Sequence, residues 1–190
     1  MNIGIKISTF AKKVTVLNIS LIVFILLLLL CLGHAAYYYP RLPDRVASHF
    51  GASGQPDAWS GKESFMKIYL MVVVILAVLF PGIGLILRRI PASLINLPNK
   101  DYLLSPERRQ ETIDVLSRQF LWFGSATLLL LLDIFHQSFR VHLGKAQALE
   151  HPWISIVTYM VFTTFWSVAL IVKFMRAPLS SHSDLKKPKS

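Results

Sequence analysis

The sequence predicts an all-α integral membrane protein: four transmembrane helices, a compact extracytoplasmic loop able to hold a short strand, and an interfacial cytoplasmic helix. Three observations predict it. Of 190 residues, 54% are apolar and only 16% charged, against about 25% charged in a soluble domain. Mean hydropathy is +0.52, and the run from Leu21 to Leu32 is apolar without interruption, which exceeds one face of a soluble helix. The formal charge of +10 is also spread unevenly along the chain. This composition excludes disorder, collagen and a soluble nucleic-acid binder.

A spanning helix needs about 20 mostly apolar residues to cross roughly 30 Å of hydrocarbon. Segments 14–39, 65–87, 120–139 and 153–174 qualify. Each must be helical, because lipid offers no partner to a free backbone amide or carbonyl. The first span follows Lys6, Lys12 and Lys13 and runs into Gly33-His34-Ala35, in the manner of a cleaved signal peptide. Its apolar stretch is longer than the roughly 7 to 15 residues of a signal core, so it is read as an uncleaved anchor. Cys31 follows Leu28, Leu29 and Leu30 rather than the small residue a lipoprotein cysteine requires, and is read as core filling.

The spans divide the rest into a cytoplasmic N-terminus (1–13), an outer loop (40–64), a cytoplasmic linker (88–119), a short outer loop (140–152) and a Ser-, Lys- and Pro-rich tail (175–190) expected to be disordered. With the N-terminus inside, fourteen of the twenty basic residues face the cytoplasm: Lys6, Lys12 and Lys13, then Arg88, Arg89, Lys100, Arg108, Arg109 and Arg118, then Lys173, Arg176, Lys186, Lys187 and Lys189. Arg41, Arg45, Lys62, Lys67, Arg140 and Lys145 fall outside. That asymmetry predicts a multi-pass membrane protein with both termini cytoplasmic. It also accounts for the net charge without nucleic acid. Tyr37, Tyr38, Tyr39, Trp122 and Trp153 stand where interfacial aromatics anchor helix ends.

The outer loop is dense in turn formers. Arg45 to Phe50 alternates as a short strand would, Val46 and Phe50 to one side and Arg45 and His49 to the other. Gly51, Gly54 and Pro56 punctuate a turn before Asp57 and Trp59. His49 with Asp44 or Asp57 offers an imidazole and carboxylates for a pH-sensitive contact, a metal ligand or a polar staple. The alternative is structural: Asp44 caps a turn, Asp57 makes a local turn bond and Trp59 anchors the loop at the interface.

The pattern Leu42-Pro43-Asp44, His49-Phe50, Gly54, Pro56-Asp57, Trp59 and Lys62, set between two spans, resembles the N-terminal domain of SdpI-type bacterial toxin-immunity membrane proteins, a domain of unknown function. The stretch Leu97 to Arg109 resembles the cytoplasmic loop of small uncharacterised members of that group. The second, Gly-x-Arg-Thr-Pro-containing domain of full-length immunity proteins is not found here. The resemblance implies a membrane fold and a binding surface at Asp44, His49, Asp57, Trp59 and Lys62, with an extracellular peptide or envelope protein as partner. Because such proteins are thought to sequester a repressor, it also implies a cytoplasmic partner at residues 98–118.

Asp133 interrupts the run Leu128 to His136 at hydrocarbon depth. An intramembrane acid costs about 2.5 to 3.5 kcal/mol at a helix centre on insertion scales, so a partner is expected. His136 shares its helix face. At 1.5 Å per residue Asp133 lies about 20 Å into its span and His34 about 30 Å along the first. A polar cluster of His34, Asp133 and His136, joined by Arg41 or His49, is therefore expected beneath the outer loop. Three readings stay open: a helix-register staple, a proton- or ligand-responsive group, and a divalent-metal site, the last weakened because structural zinc normally has four ligands. Neither a metal nor another cofactor is expected.

Pro81-Gly-Ile-Gly84 should kink or locally unwind the second span, or let a neighbour approach closely. In the linker, Ser105 is expected to cap a helix beginning at Pro106, its Ile113, Leu116 and Phe120 on the membrane and Arg108, Arg109 and Arg118 at the headgroups. There is no nucleophile with a base at motif spacing, no His-Glu-x-x-His and no phosphate-binding glycine loop, so an enzyme is not expected. The expected role is non-enzymatic binding, sensing or immunity-like function in the envelope. The alternatives are a small proton-linked transporter, or a subunit of one, and a structural subunit of a membrane complex.

Overall fold

A computed structural model describes residues 3–176, with side chains from 19 onward. The basic N-terminal side chains Lys6, Lys12 and Lys13 and the tail beyond 176 lie outside the described residues. The elements run α1 (Ile3–Tyr38), β1 (Arg45–Phe50), β2 (Pro56–Gly61), α2 (Lys62–Arg89), α3 (Lys100–Leu103), α4 (Arg109–His142) and α5 (Pro152–Met175). Four of the helices are long and apolar enough to cross a membrane, over Ile19–Arg41, Lys62–Arg89, Arg109–His142 and Pro152–Met175.

Helix α1 gives way to a 3-10 turn at Tyr39–Arg41, where Pro40 cannot continue the amide ladder. The chain then forms an antiparallel hairpin. Arg45 pairs with Gly61, Val46 with Ser60, Ala47 with Trp59, His49 with Ala58 and Phe50 with Pro56. The strand expected at Arg45 to Phe50 is present, but its alternation breaks. Val46 and Ala47 are both fully buried, because the register slips between Ala47 and His49 and leaves Ser48 as an extra residue. The turn closes through Gly54 N–H to Gly51 C=O at 2.8 Å and Gly51 N–H to Gln55 C=O at 2.9 Å. Gly54 has φ +79°, a region that favours glycine. The hairpin base is fixed by the Lys62 amide on the Asp44 carbonyl at 2.9 Å.

Helix α2 runs through Pro81 without a break in its helical assignment. The expected local unwinding is absent, and the close-approach reading fits instead. A Cβ on Gly84 would lie 2.9 Å from Ser117 Oγ of α4, so glycine is what lets the two backbones meet. A Cβ on Gly124 would lie 2.6 Å from the Phe24 ring and 2.7 Å from that of Phe80. Helices α1, α2 and α4 thus close on one core, built from Phe24, Cys31, Ala35, Tyr69, Leu128 and Phe139 among others.

The linker departs from expectation. Helix α4 starts at Arg109, three residues after Pro106, with no side-chain cap. It continues unbroken for 34 residues, about 51 Å at 1.5 Å per residue, longer than the roughly 40 to 45 Å of a whole bilayer. The expected interfacial helix is therefore the first turns of α4. Ile113 and Leu116 are buried, and Leu116 packs with Leu103 and Phe174, which removes their reason to lie in lipid. Asn99, at φ 51°, donates from Nδ2 to the Phe174 and Met175 carbonyls at 3.1 and 2.9 Å, satisfying backbone acceptors that the end of α5 would otherwise leave open.

Candidate functional site

The sequence-selected residues fall into three places. The first is the hairpin. His49 Nδ1 and Asp57 Oδ1 lie 2.5 Å apart with both side chains more than half exposed. The two are brought together by the register slips on either side of His49. Trp59, on the same strand as Asp57, is also exposed. Lys62 Nζ meets Asp44 Oδ1 at 2.8 Å, and its ammonium, acting first through this hydrogen bond, holds the Asp44 carboxyl below the usual carboxylate range. The hairpin thus turns an imidazole–carboxylate pair and an indole outward, while a second ion pair closes its base.

What holds that surface still lies underneath. His142 Nε2, at the end of α4, donates to the Ala47 carbonyl at 3.1 Å; the acceptor is a carbonyl, so this nitrogen carries the proton. Leu149 N–H donates to the Gly54 carbonyl at 2.9 Å, and Trp153 Nε1 donates to the Ala52 carbonyl at 2.8 Å. A Cβ on Gly54 would meet the Leu149 carbonyl oxygen at 2.8 Å, so the turn sits against the α4–α5 connection with no room to spare. None of His142, Leu149 and Trp153 was singled out as a binding residue. The one available sign was the spacing of His136, Phe139 and His142 at i, i+3 and i+6, which puts three rings along one side of α4.

The second place is an imidazole and aromatic cluster beneath the hairpin. His34 Nε2 and His136 Nδ1 are 3.4 Å apart. The Tyr38 hydroxyl lies 3.4 Å from the same His136 nitrogen, and the Tyr69 hydroxyl 3.4 Å from His34 Nδ1. Phe139 stacks on His34 and Tyr38 at centroid separations of 5.0 and 4.7 Å. Helices α1, α2 and α4 meet here through rings.

Asp133 belongs to the third place. Its Oδ2 accepts from Gln137 Nε2 at 2.7 Å and from Ser155 Oγ of α5 at 2.6 Å. Gln137 in turn accepts the His151 amide on Oε1 at 3.2 Å. The expected cluster of His34, Asp133 and His136 therefore divides. Three residues on a helix turn the side chain by about 60° from alignment, enough for His136 to face α1 while Asp133 faces α5. Arg41 and His49 do not join either group: Arg41 sits over the Tyr37 ring at 3.8 Å and bonds the Tyr37 carbonyl, and His49 is taken by Asp57. Among the described residues no group of three or more His, Cys, Asp or Glu gathers as a metal site.

A family model described as a domain of unknown function, DUF1648, matches residues 26–76, from within α1 through the hairpin into α2. No curated protein and no solved structure matches the chain.

Proposed function

We propose that this chain is a non-enzymatic envelope binding or sensing protein of the bacterial inner membrane, related in role to SdpI-type immunity proteins, with the β1–β2 hairpin as its recognition surface. Both termini lie in the cytoplasm on this reading, and the hairpin faces outward toward an extracellular peptide or envelope protein. The observation that carries it is the contrast within the hairpin: its inner strand is fixed by His142, with the turn fixed by Leu149 and Trp153, while Asp57 and Trp59 on the outer strand stay exposed beside His49. A preorganised, exposed indole beside an imidazole–carboxylate pair loses little entropy on binding, and Trp is enriched among residues that dominate interfaces. The DUF1648 match covers this hairpin and its flanking helices, which supports the same region.

The test is genetic and biochemical. In cells challenged with a secreted peptide toxin against which the wild-type chain protects, Asp57→Ala and Trp59→Ala should abolish protection while insertion into the membrane is unchanged. Silence of both variants would end the proposal. One observation favours a second reading: Asp133 lines an open groove between α4 and α5 with Ser155 and Tyr159, as a proton-linked transporter would require. Loss of proton-coupled flux in vesicles on Asp133→Asn, with the hairpin variants fully active, would establish that reading instead. A cytoplasmic partner at residues 98–118 would meet the exposed side chains of Asp101, Glu107 and Arg108.

A further inference from the structure

Helices α1 and α2 each pack on α4 more extensively than on each other, so their own seam is loose near the hairpin. A groove of about 390 Å³ opens there, within the roughly 300 to 1,000 Å³ typical of ligand sites. No residue of α4 lines it. Its walls are apolar, with Leu32 and Ala36 from α1 facing Met66 and Leu70 from α2, and Glu63 and Lys67 stand along the α2 side. The alanine keeps the trough deep, and the i, i+4 spacing of the two charges puts them one helical turn apart on one wall. Beside them, Tyr37 and Tyr38 end α1 and Tyr39 opens the 3-10 turn, where aromatic residues mark the headgroup level.

Glu63 and Lys67 form only a loose ion pair. Their closest approach is 3.9 Å with side chains 71% and 80% exposed, a pair of little mutual worth. A carboxylate and an ammonium so weakly paired, at the mouth of an apolar trough, match a headgroup that carries both charges. A hydrophobic helix would fill the trough but offer neither charge a closer partner. We propose that this groove binds one phospholipid with a zwitterionic primary-amine headgroup, its acyl chain along Leu32, Ala36 and Met66, its ammonium on Glu63 and its phosphate on Lys67.

The experiment uses the full chain reconstituted in vesicles of equal phosphatidylethanolamine and phosphatidylglycerol, extracted in mild detergent and weighed by native mass spectrometry. The wild type should retain one phosphatidylethanolamine in about threefold preference to phosphatidylglycerol, the scale of an exposed ion pair. Glu63→Gln, at an exposed position that does not threaten folding, should erase the preference but keep a lipid. Lys67→Gln should lower retention of both lipids, and Ala36→Trp should fill the trough and remove the retained lipid. Equal retention of the two lipids by the wild type would overturn the proposal, as would an unchanged preference in Glu63→Gln. A dimer of the wild type that Ala36→Trp dissociates would overturn it in favour of a second copy as occupant.

Discussion

Helix α4 has two seams, and they are held by different chemistry. Toward α1 and α2 it meets rings and glycines: Phe139 between His34, Tyr38 and Tyr69, Phe135 stacked on Tyr69 at 4.1 Å, and Gly124 against Phe24 and Phe80. Toward α5 it meets a ladder of polar bonds: Gln119 to Trp166 at 2.6 Å, Thr127 to Tyr159 at 2.9 Å, and Asp133 to Ser155 at 2.6 Å. The most apolar stretch of α5 has no buried residue, so tight packing contributes little there. Lipid is as apolar as leucine, so helices in a membrane associate through close packing or through hydrogen bonds. One means predominates on each side of the same helix, the Arg88–Asp114 ion pair at 3.1 Å toward α2 and the Leu116–Phe174 contact toward α5 being exceptions. Close packing gives one well-defined arrangement; separate polar rungs can be broken one at a time.

The sharpest way to break the comparison is to crowd the packed seam. Gly124→Val should destabilise the protein by about 1 to 3 kcal/mol, the usual cost of overpacking, because the added carbon already meets two rings at 2.6 and 2.7 Å. Unfolding in mixed micelles would measure it, and a loss below half a kilocalorie would mean that Phe24 and Phe80 yield freely. The polar seam should respond less. A double-mutant cycle of Thr127→Val with Tyr159→Phe should return a coupling of about 0.6 kcal/mol, the average for such bonds in membranes. A value equal to the Gly124 effect would erase the distinction between the seams.

The smallest expected effect lies outside both seams. Lys62 depresses the Asp44 carboxyl, so the folded pKa lies below the unfolded value of about 3.9. The contribution of this pair is complete above that unfolded value and is lost as pH falls through the folded one. The amide-exchange protection of Arg45–Phe50 and Pro56–Gly61, after correction for intrinsic rates, should therefore show a step that falls below pH 4. Asp44→Asn should remove that acid-dependent step. An unchanged step in the variant would assign it to another group.

The four spanning helices were legible because length and apolarity suffice to state them. Arg45–Phe50 was legible for a different reason: its sequence alternates as a strand does, although the burial that alternation predicts breaks at Ala47. Pro56–Gly61 was not. It opens on proline, ends on glycine and carries no buried residue, so its only mark is a backbone ladder that no side-chain pattern records. Asp133 was visible as an expensive group, yet its partner was misplaced: His136 is near in sequence, while Ser155 reaches it across the seam with α5. The seam itself was passed over because Gln119, Thr127, Ser155, Tyr159 and Trp166 are uncharged and raise no hydropathy alarm singly. The interfacial helix misread Ile113 and Leu116, whose cover comes from within the protein and is set by tertiary contact.

Helix α5 is a rod pinned at both ends. At one end the indole of Trp153 is tied to the hairpin at Ala52, and at the other Asn99 holds its final carbonyls to the linker between α2 and α4. Helix α5 therefore ties the hairpin to the far linker through side-chain bonds at its two ends, a connection separate from the ring-packed core.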